Sequence, residues 1–203
     1  MARILKTPAP LPLWTYKAFL LVAAAIWGLG TVVIKSTVDA FPPAWIVGVR
    51  FTAAGIILGV VMLPRIRKHL DAEHLCKGSV LGVMVFLAYW SNSTGLTDTT
   101  ASNSSFLTSL YCVIIPFLGW ALHGPRPTRF NLAAAMVCVA GVGCVSFAGA
   151  DGFSLRFGDL VTLLSALFLS FHVVYTAKFA PGSDMTLLTI IQFLVAGLLG
   201  LAA

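Results

Sequence analysis

Arg50 has the most demanding setting of any residue in this 203-residue sequence: it stands inside PPAWIVGVRFTAAGIILGVVML, Pro42 to Leu63, an apolar run of about the 20 residues that span a bilayer. A guanidinium in the middle of such a run costs about 2.5 to 3.5 kcal/mol on insertion scales, so something must offset it. Two offsets are open. The long side chain can snorkel to the membrane surface as an anchor or structural ion pair. Alternatively, its rigid fork of donors can face a wet cavity and hold a carboxylate-bearing metabolite. Helical spacing bears on the choice. Gly48, Thr52, Gly55 and Gly59 fall on one small-residue face suited to close helix packing, and Arg50, rotated about 200° from Gly48, points elsewhere.

The other residues able to do chemistry also sit in apolar surroundings. Ser102, Asn103, Ser104, Ser105, Thr108, Ser109 and Tyr111 crowd one half of a single run, where they either line a cavity or hydrogen-bond to neighbouring helices. Pro116, further along it, frees a carbonyl one turn back and kinks the helix, for gating or merely for shape. Trp27 lies about ten residues, or roughly 15 Å, from Lys17 and therefore near mid-membrane. It lines a cavity or packs beside Gly28 and Gly30. His172 is embedded in another run, with a proton or substrate role set against hydrogen-bonded packing. Asp159 opens the same run, where helix capping competes with proton coupling. Lys35, near a helix end, can snorkel.

Composition fixes what must position these groups. Of the residues, 59% are hydrophobic and 10% charged, and mean hydropathy is +0.95. That is an all-α integral membrane protein, with the lipid bilayer as its surroundings. The formal charge of +6 lies in short connectors and makes no exposed basic stripe, so no nucleic-acid partner is expected. No GxSxG or HExxH occurs, and Asp159 and His172 are about 20 Å apart along one helix, so no enzyme and no catalytic residue is expected. Cys76, Cys112, Cys138 and Cys144 lack metal-binding or disulfide spacing, so no metal and no cofactor is expected either.

The apolar runs give about seven transmembrane helices: Tyr16 to Ser36, Pro43 to Leu63, Cys76 to Trp90, Ala101 to Leu122, Phe130 to Ala148, Gly158 to Ala177 and Met185 to Ala203. Arg65, Arg67, Lys68, Lys77, Arg126, Arg129 and Lys178 fall on the side of the basic tail, which carries Arg3, Lys6 and Lys17. Only Lys35 and Arg156 fall on the other. The bias places the N-terminus in the cytoplasm. A receptor-like or structural multi-span protein without transport activity is the alternative, although a receptor places its N-terminus outside.

The chain also repeats itself. WGLGTVVIK (Trp27 to Lys35) lies over SFHVVYTAK (Ser170 to Lys178), and RFTAAGIILG (Arg50 to Gly59) over QFLVAGLLGL (Gln192 to Leu201). Gln192 thus stands at the place of Arg50. The first copy begins inside and the second outside, which makes the units inverted, as in many secondary transporters.

AAAIWGLGTVVIK, PPAWIVGVRF, ASNSSFLTSLYCVIIP, AAAMVCVAGVGCVSF and GDLVTLLSALF occur in an order and spacing that resemble the EamA-like permeases of the drug/metabolite transporter superfamily. The resemblance implies a ten-helix exporter of small metabolites or drugs in the bacterial inner membrane, built of two inverted five-helix repeats around a central cavity. Arg50 matches an arginine that recurs in the family. The chain departs from the family's usual Gly-Glu after helix four, where it has His123-Gly124-Pro125-Arg126. Residues 1–15 are expected to form a cytoplasmic tail, 16–148 the first repeat, 149–157 an external connector and 158–203 an incomplete second repeat. A small-molecule substrate is the expected partner, and a homodimer is left open. The candidate substrate-binding or cavity-lining residues are Trp27, Arg50, Asn103, Ser105, Thr108, Ser109, Tyr111, His172 and Gln192.

Overall fold

The computed structural model describes residues 12–122, 124, 126–147 and 156–203. Residues 1–11 of the expected tail and 149–155 of the expected connector lie outside the described residues. Among those described there are nine α-helices and no strand: α1 (Leu13–Thr37), α2 (Pro43–Val61), α3 (Leu63–His69), α4 (Ala72–Gly95), α5 (Ala101–Ser109), α6 (Tyr111–Ala121), α7 (Arg129–Phe147), α8 (Phe157–Phe179) and α9 (Met185–Ala202). α1, α2, the stretch Ala101–Ala121, α8 and α9 are each long and apolar enough to cross a membrane. α4 and α7 coincide with the two other expected segments.

Local chemistry sets the helix limits. Pro43 occupies the first position of α2, where its missing N–H has no helical partner to lose. Asp71 caps α4 by accepting from the His74 backbone N–H at 2.8 Å, which starts the helix at Ala72, ahead of the expected Cys76. At its other end α4 runs past the expected Trp90 to Gly95, because Ser91, Ser93 and Gly95 are buried and continue the packed face. The Asp159 side chain accepts from the Arg156 N–H at 3.1 Å, and Asp184 accepts from the Thr186 N–H at 2.9 Å. Gly182, at φ 77°, supplies the left-handed residue in the α8–α9 turn. The expected single fourth helix is divided at Leu110, whose N–H bonds the Leu107 carbonyl at 3.2 Å in place of a full helical turn. The division falls two residues ahead of the Cys112 carbonyl, which Pro116 leaves without its i+4 donor.

α9 lies between α2 and α4, and α8 between α4 and the α5–α6 pair. The α2–α9 contact is made by the small-residue face expected from the sequence. A Cβ on Gly48 would stand 2.7 Å from the Gly200 backbone, and one on Gly200 would stand 2.6 Å from the Gly48 nitrogen. Only hydrogen at both positions allows the approach. Val47, Phe51, Val85, Phe86 and Ala196 form the core where α2, α4 and α9 meet.

Charge gathers at the two ends of the bundle. At one, Arg65 Nε pairs with Asp184 Oδ2 at 2.5 Å, the Asp184 backbone N–H donates to His74 Nε2 at 3.0 Å, and Lys77 reaches Glu73 and Ser183. At the other, the Gly158 N–H donates to Asp98 Oδ2 at 3.0 Å and Thr99 Oγ1 donates to Asp159 Oδ1 at 2.5 Å. Lys35 is at that same end. Its ammonium turns inward and donates to the Leu96 carbonyl at 2.6 Å, so it closes the end of α4 in place of snorkelling.

Candidate functional site

The convergence of α1, α2, α4, α6, α8 and α9 leaves a cavity of about 460 Å³. Its walls are mostly aromatic and aliphatic. α2 contributes Arg50, Phe51 and Ala54; α4 contributes Val85 and Tyr89; α9 contributes Gln192 and Phe193. Trp27 of α1, Tyr111 of α6, and Leu169, His172 and Val173 of α8 complete it. A volume of this size lies within the ordinary range for small-molecule pockets, as does the mixture of an apolar lining with a few polar groups.

Helical geometry explains the polar groups. With Gly48 against Gly200, the opposite face of α2 turns Arg50 toward α4, where its Cζ lies 5.8 Å from the centre of the Tyr89 ring. This is a cation–π contact. Tyr89 is itself held edge-on by Phe51, with ring centres 5.0 Å apart, and Phe51 packs on Phe193 at 5.2 Å. Trp27 lies 5.8 Å from Tyr89, ring centre to ring centre. Arg50 makes no ion pair with a carboxylate among the described residues. On another wall, His172 Nε2 donates to Gln192 Oε1 across 2.9 Å, with Thr176 Oγ1 3.5 Å from the same nitrogen. Ser170 Oγ, 3.4 Å from the Tyr111 carbonyl, ties α6 to α8 beside the cavity.

Of the residues singled out from the sequence, Trp27, Arg50, Tyr111, His172 and Gln192 are brought together here. The remaining four take other positions. Thr108 faces α4 and accepts from Asn92 Nδ2 at 2.8 Å, while Asn103 Nδ2 reaches Asp159 Oδ1 at 3.4 Å. Ser105 and Ser109 bond the Ala101 and Phe106 carbonyls of their own helix, at 2.8 and 2.6 Å. Sequence reasoning missed Tyr89. Its signal, one hydroxyl in the run FLAYW, does not set it apart from an ordinary interfacial aromatic.

Apolar helices of spanning length around an open cavity whose wall carries an exposed arginine define a multi-span integral membrane protein. The model of the EamA-like transporter family matches residues 14–147, and the chain belongs to that family, within the drug/metabolite transporter superfamily. It is similar to an uncharacterized transporter of Archaeoglobus fulgidus, with 30% identity over 173 residues that cover 85% of this chain and 52% of the relative. It is also similar to the uncharacterized transporter YvbV of Bacillus subtilis, with 25% identity over 181 residues that cover 88% of this chain and 58% of the relative. The chain thus spans about half the length of these curated relatives. No solved structure matches it significantly.

Proposed function

We propose that this protein is a secondary transporter that exports small metabolites across the cell membrane by alternating access. Residues 16–148 would form one five-helix unit and 158–203 the opening helices of an inverted partner, in a bacterial inner membrane with the N-terminus in the cytoplasm. The observation that carries the reading is the cavity between α1, α2, α4, α6 of the first unit and α8, α9 of the second, with Arg50 on its wall. Binding at a repeat interface near mid-membrane is the arrangement alternating access requires. Membership of a transporter family and the transporter names of both relatives support it. The acyl chains surround the bundle and a small molecule fills its centre. Assembly as a homodimer is compatible with the outward-facing α1.

An export and resistance screen tests the reading. Cells making the protein should tolerate, and release, at least one small metabolite that inhibits cells lacking it. Failure across a broad panel, with the protein present in the membrane, would count against transport. Orientation is tested separately with single cysteines at exposed Arg67 and Thr97, at opposite ends of the bundle. Arg67→Cys should react only with reagent supplied from the cytoplasm and Thr97→Cys only with reagent supplied from outside, and the reverse pattern would invert the proposed topology.

A further inference from the structure

The cavity's charge balance, read on the premise that it is the transport site, carries an inference about cargo. We propose that it takes a small aromatic monocarboxylate without an amino group. Every described carboxylate lies at a helix end or in a connector, and none lines the cavity. The Arg50 guanidinium, exposed on the open side of the cavity wall, is therefore a cation without a carboxylate partner among the described residues. A bound anion supplies that partner. The Tyr89 ring lies 5.8 Å from the guanidinium carbon on the same cavity wall, and a guanidinium in contact with a ring face still has in-plane N–H donors that a carboxylate can meet with two parallel hydrogen bonds.

The rest of the cavity describes the rest of the ligand. Trp27, Phe51 and Phe193 give aromatic walls suited to a flat ring packed edge-on or offset. An ammonium group would find no anion to pair with. The side-chain amide oxygen on the wall, Gln192 Oε1, already accepts from His172 and, being neutral, offers no charge to balance an ammonium. An ammonium placed against an apolar wall that already carries the Arg50 cation and no anion is disfavoured, so an amino acid with the same ring is selected against even though it carries the same carboxylate.

The probe is radiolabelled 3-phenylpropionate, bound at equilibrium to the purified chain in lipid nanodiscs near neutral pH. Unlabelled 3-phenylpropionamide and phenylalanine should each compete at least about tenfold more weakly than the acid, since each loses or opposes a charge-assisted pair. Hexanoate should compete several-fold more weakly for want of the ring. Equal competition by the amide or by phenylalanine, or no binding of the probe, would overturn the proposal. Arg50→Gln should abolish the preference for acid over amide, and a preference that survives it would also overturn the proposal. Because the wild-type series needs no variant, poor folding of Arg50→Gln leaves the test decisive. Binding in the stated order without counterflow by the full-length transporter would support the cargo class and sink the transport reading. Counterflow of other metabolites without a preference for the acid would do the opposite.

Discussion

The guanidinium carbon of Arg50 stands 5.8 Å from the centre of the Tyr89 ring, on a cavity wall that no described carboxylate reaches. Tyr89 therefore acts as the support that fixes the arginine. Replacing it with phenylalanine keeps the ring face, and Tyr89→Phe should transport at close to the wild-type rate. Tyr89→Leu removes the face and should lose about 0.5 to 2 kcal/mol of cation–π stabilisation, or a few-fold to roughly thirtyfold in apparent affinity. Initial-rate measurements over a range of substrate concentrations check this. Equal losses for the two variants would point to the hydroxyl as the group that matters.

The α2–α9 seam yields a stability prediction. A side chain at Gly48 meets the Gly200 backbone, which cannot rotate away, whereas Gly59 has only an Ile190 methyl at 3.7 Å. Gly48→Val should destabilise the protein by about 1 to 3 kcal/mol or separate α9 from α2, and Gly59→Ala should be close to neutral. Thermal unfolding in detergent, followed by the loss of helical circular dichroism, measures both. Equal melting of the two variants would contradict the close seam.

Asp184 links the α8–α9 turn to the basic end of α2 and α3. The Arg65 side chain, aided by the Thr186 N–H, holds its carboxyl below its ordinary value of 3.8. A depressed carboxylate stabilises the fold fully above its unfolded value and loses that stabilisation as pH falls through the folded one. Arg65 is 54% exposed, so the ion pair is worth about 0.2 to 1 kcal/mol. Asp184→Asn should be less stable than wild type near neutral pH by about this amount, and the gap should close under acid conditions. A gap independent of pH would mean that capping of α9, and not the charge, is what Asp184 supplies.

The helices and the small-residue seam were legible in the sequence because both follow from simple rules. About 20 apolar residues make a span, and small residues three or four apart make a close face. Gly48, Thr52 and Gly55 satisfy the second rule, and the structure sets Gly200, Gly197 and Leu194 against them in turn. Limits set by single side chains were less visible. Nothing in the apolar pattern announces that Asp71 starts α4 four residues early, since a cap is local hydrogen bonding and not hydropathy.

The candidate site was readable only in part, for a geometric reason. Ser104 and Thr108, one turn apart, face α4 and bond Asn92, while Ser105 and Ser109, one position on, bond their own helix. Adjacent positions on a helix differ by about 100°, so a run of polar residues never shares one environment. Tyr89 escaped notice because its role comes from α2, roughly forty residues earlier, and no local pattern encodes that meeting.

The most direct measurement is counterflow in proteoliposomes that hold matched amounts of the full-length transporter as wild type, Arg50→Ala and Arg50→Lys. Wild type should accumulate labelled substrate transiently against a preloaded pool. Arg50→Ala should insert normally yet lose at least about tenfold in rate, and Arg50→Lys should recover only part of it, because an ammonium offers a point charge where the guanidinium offers a fork. Wild-type rates for Arg50→Ala would contradict the account and return this arginine to the role of a membrane anchor.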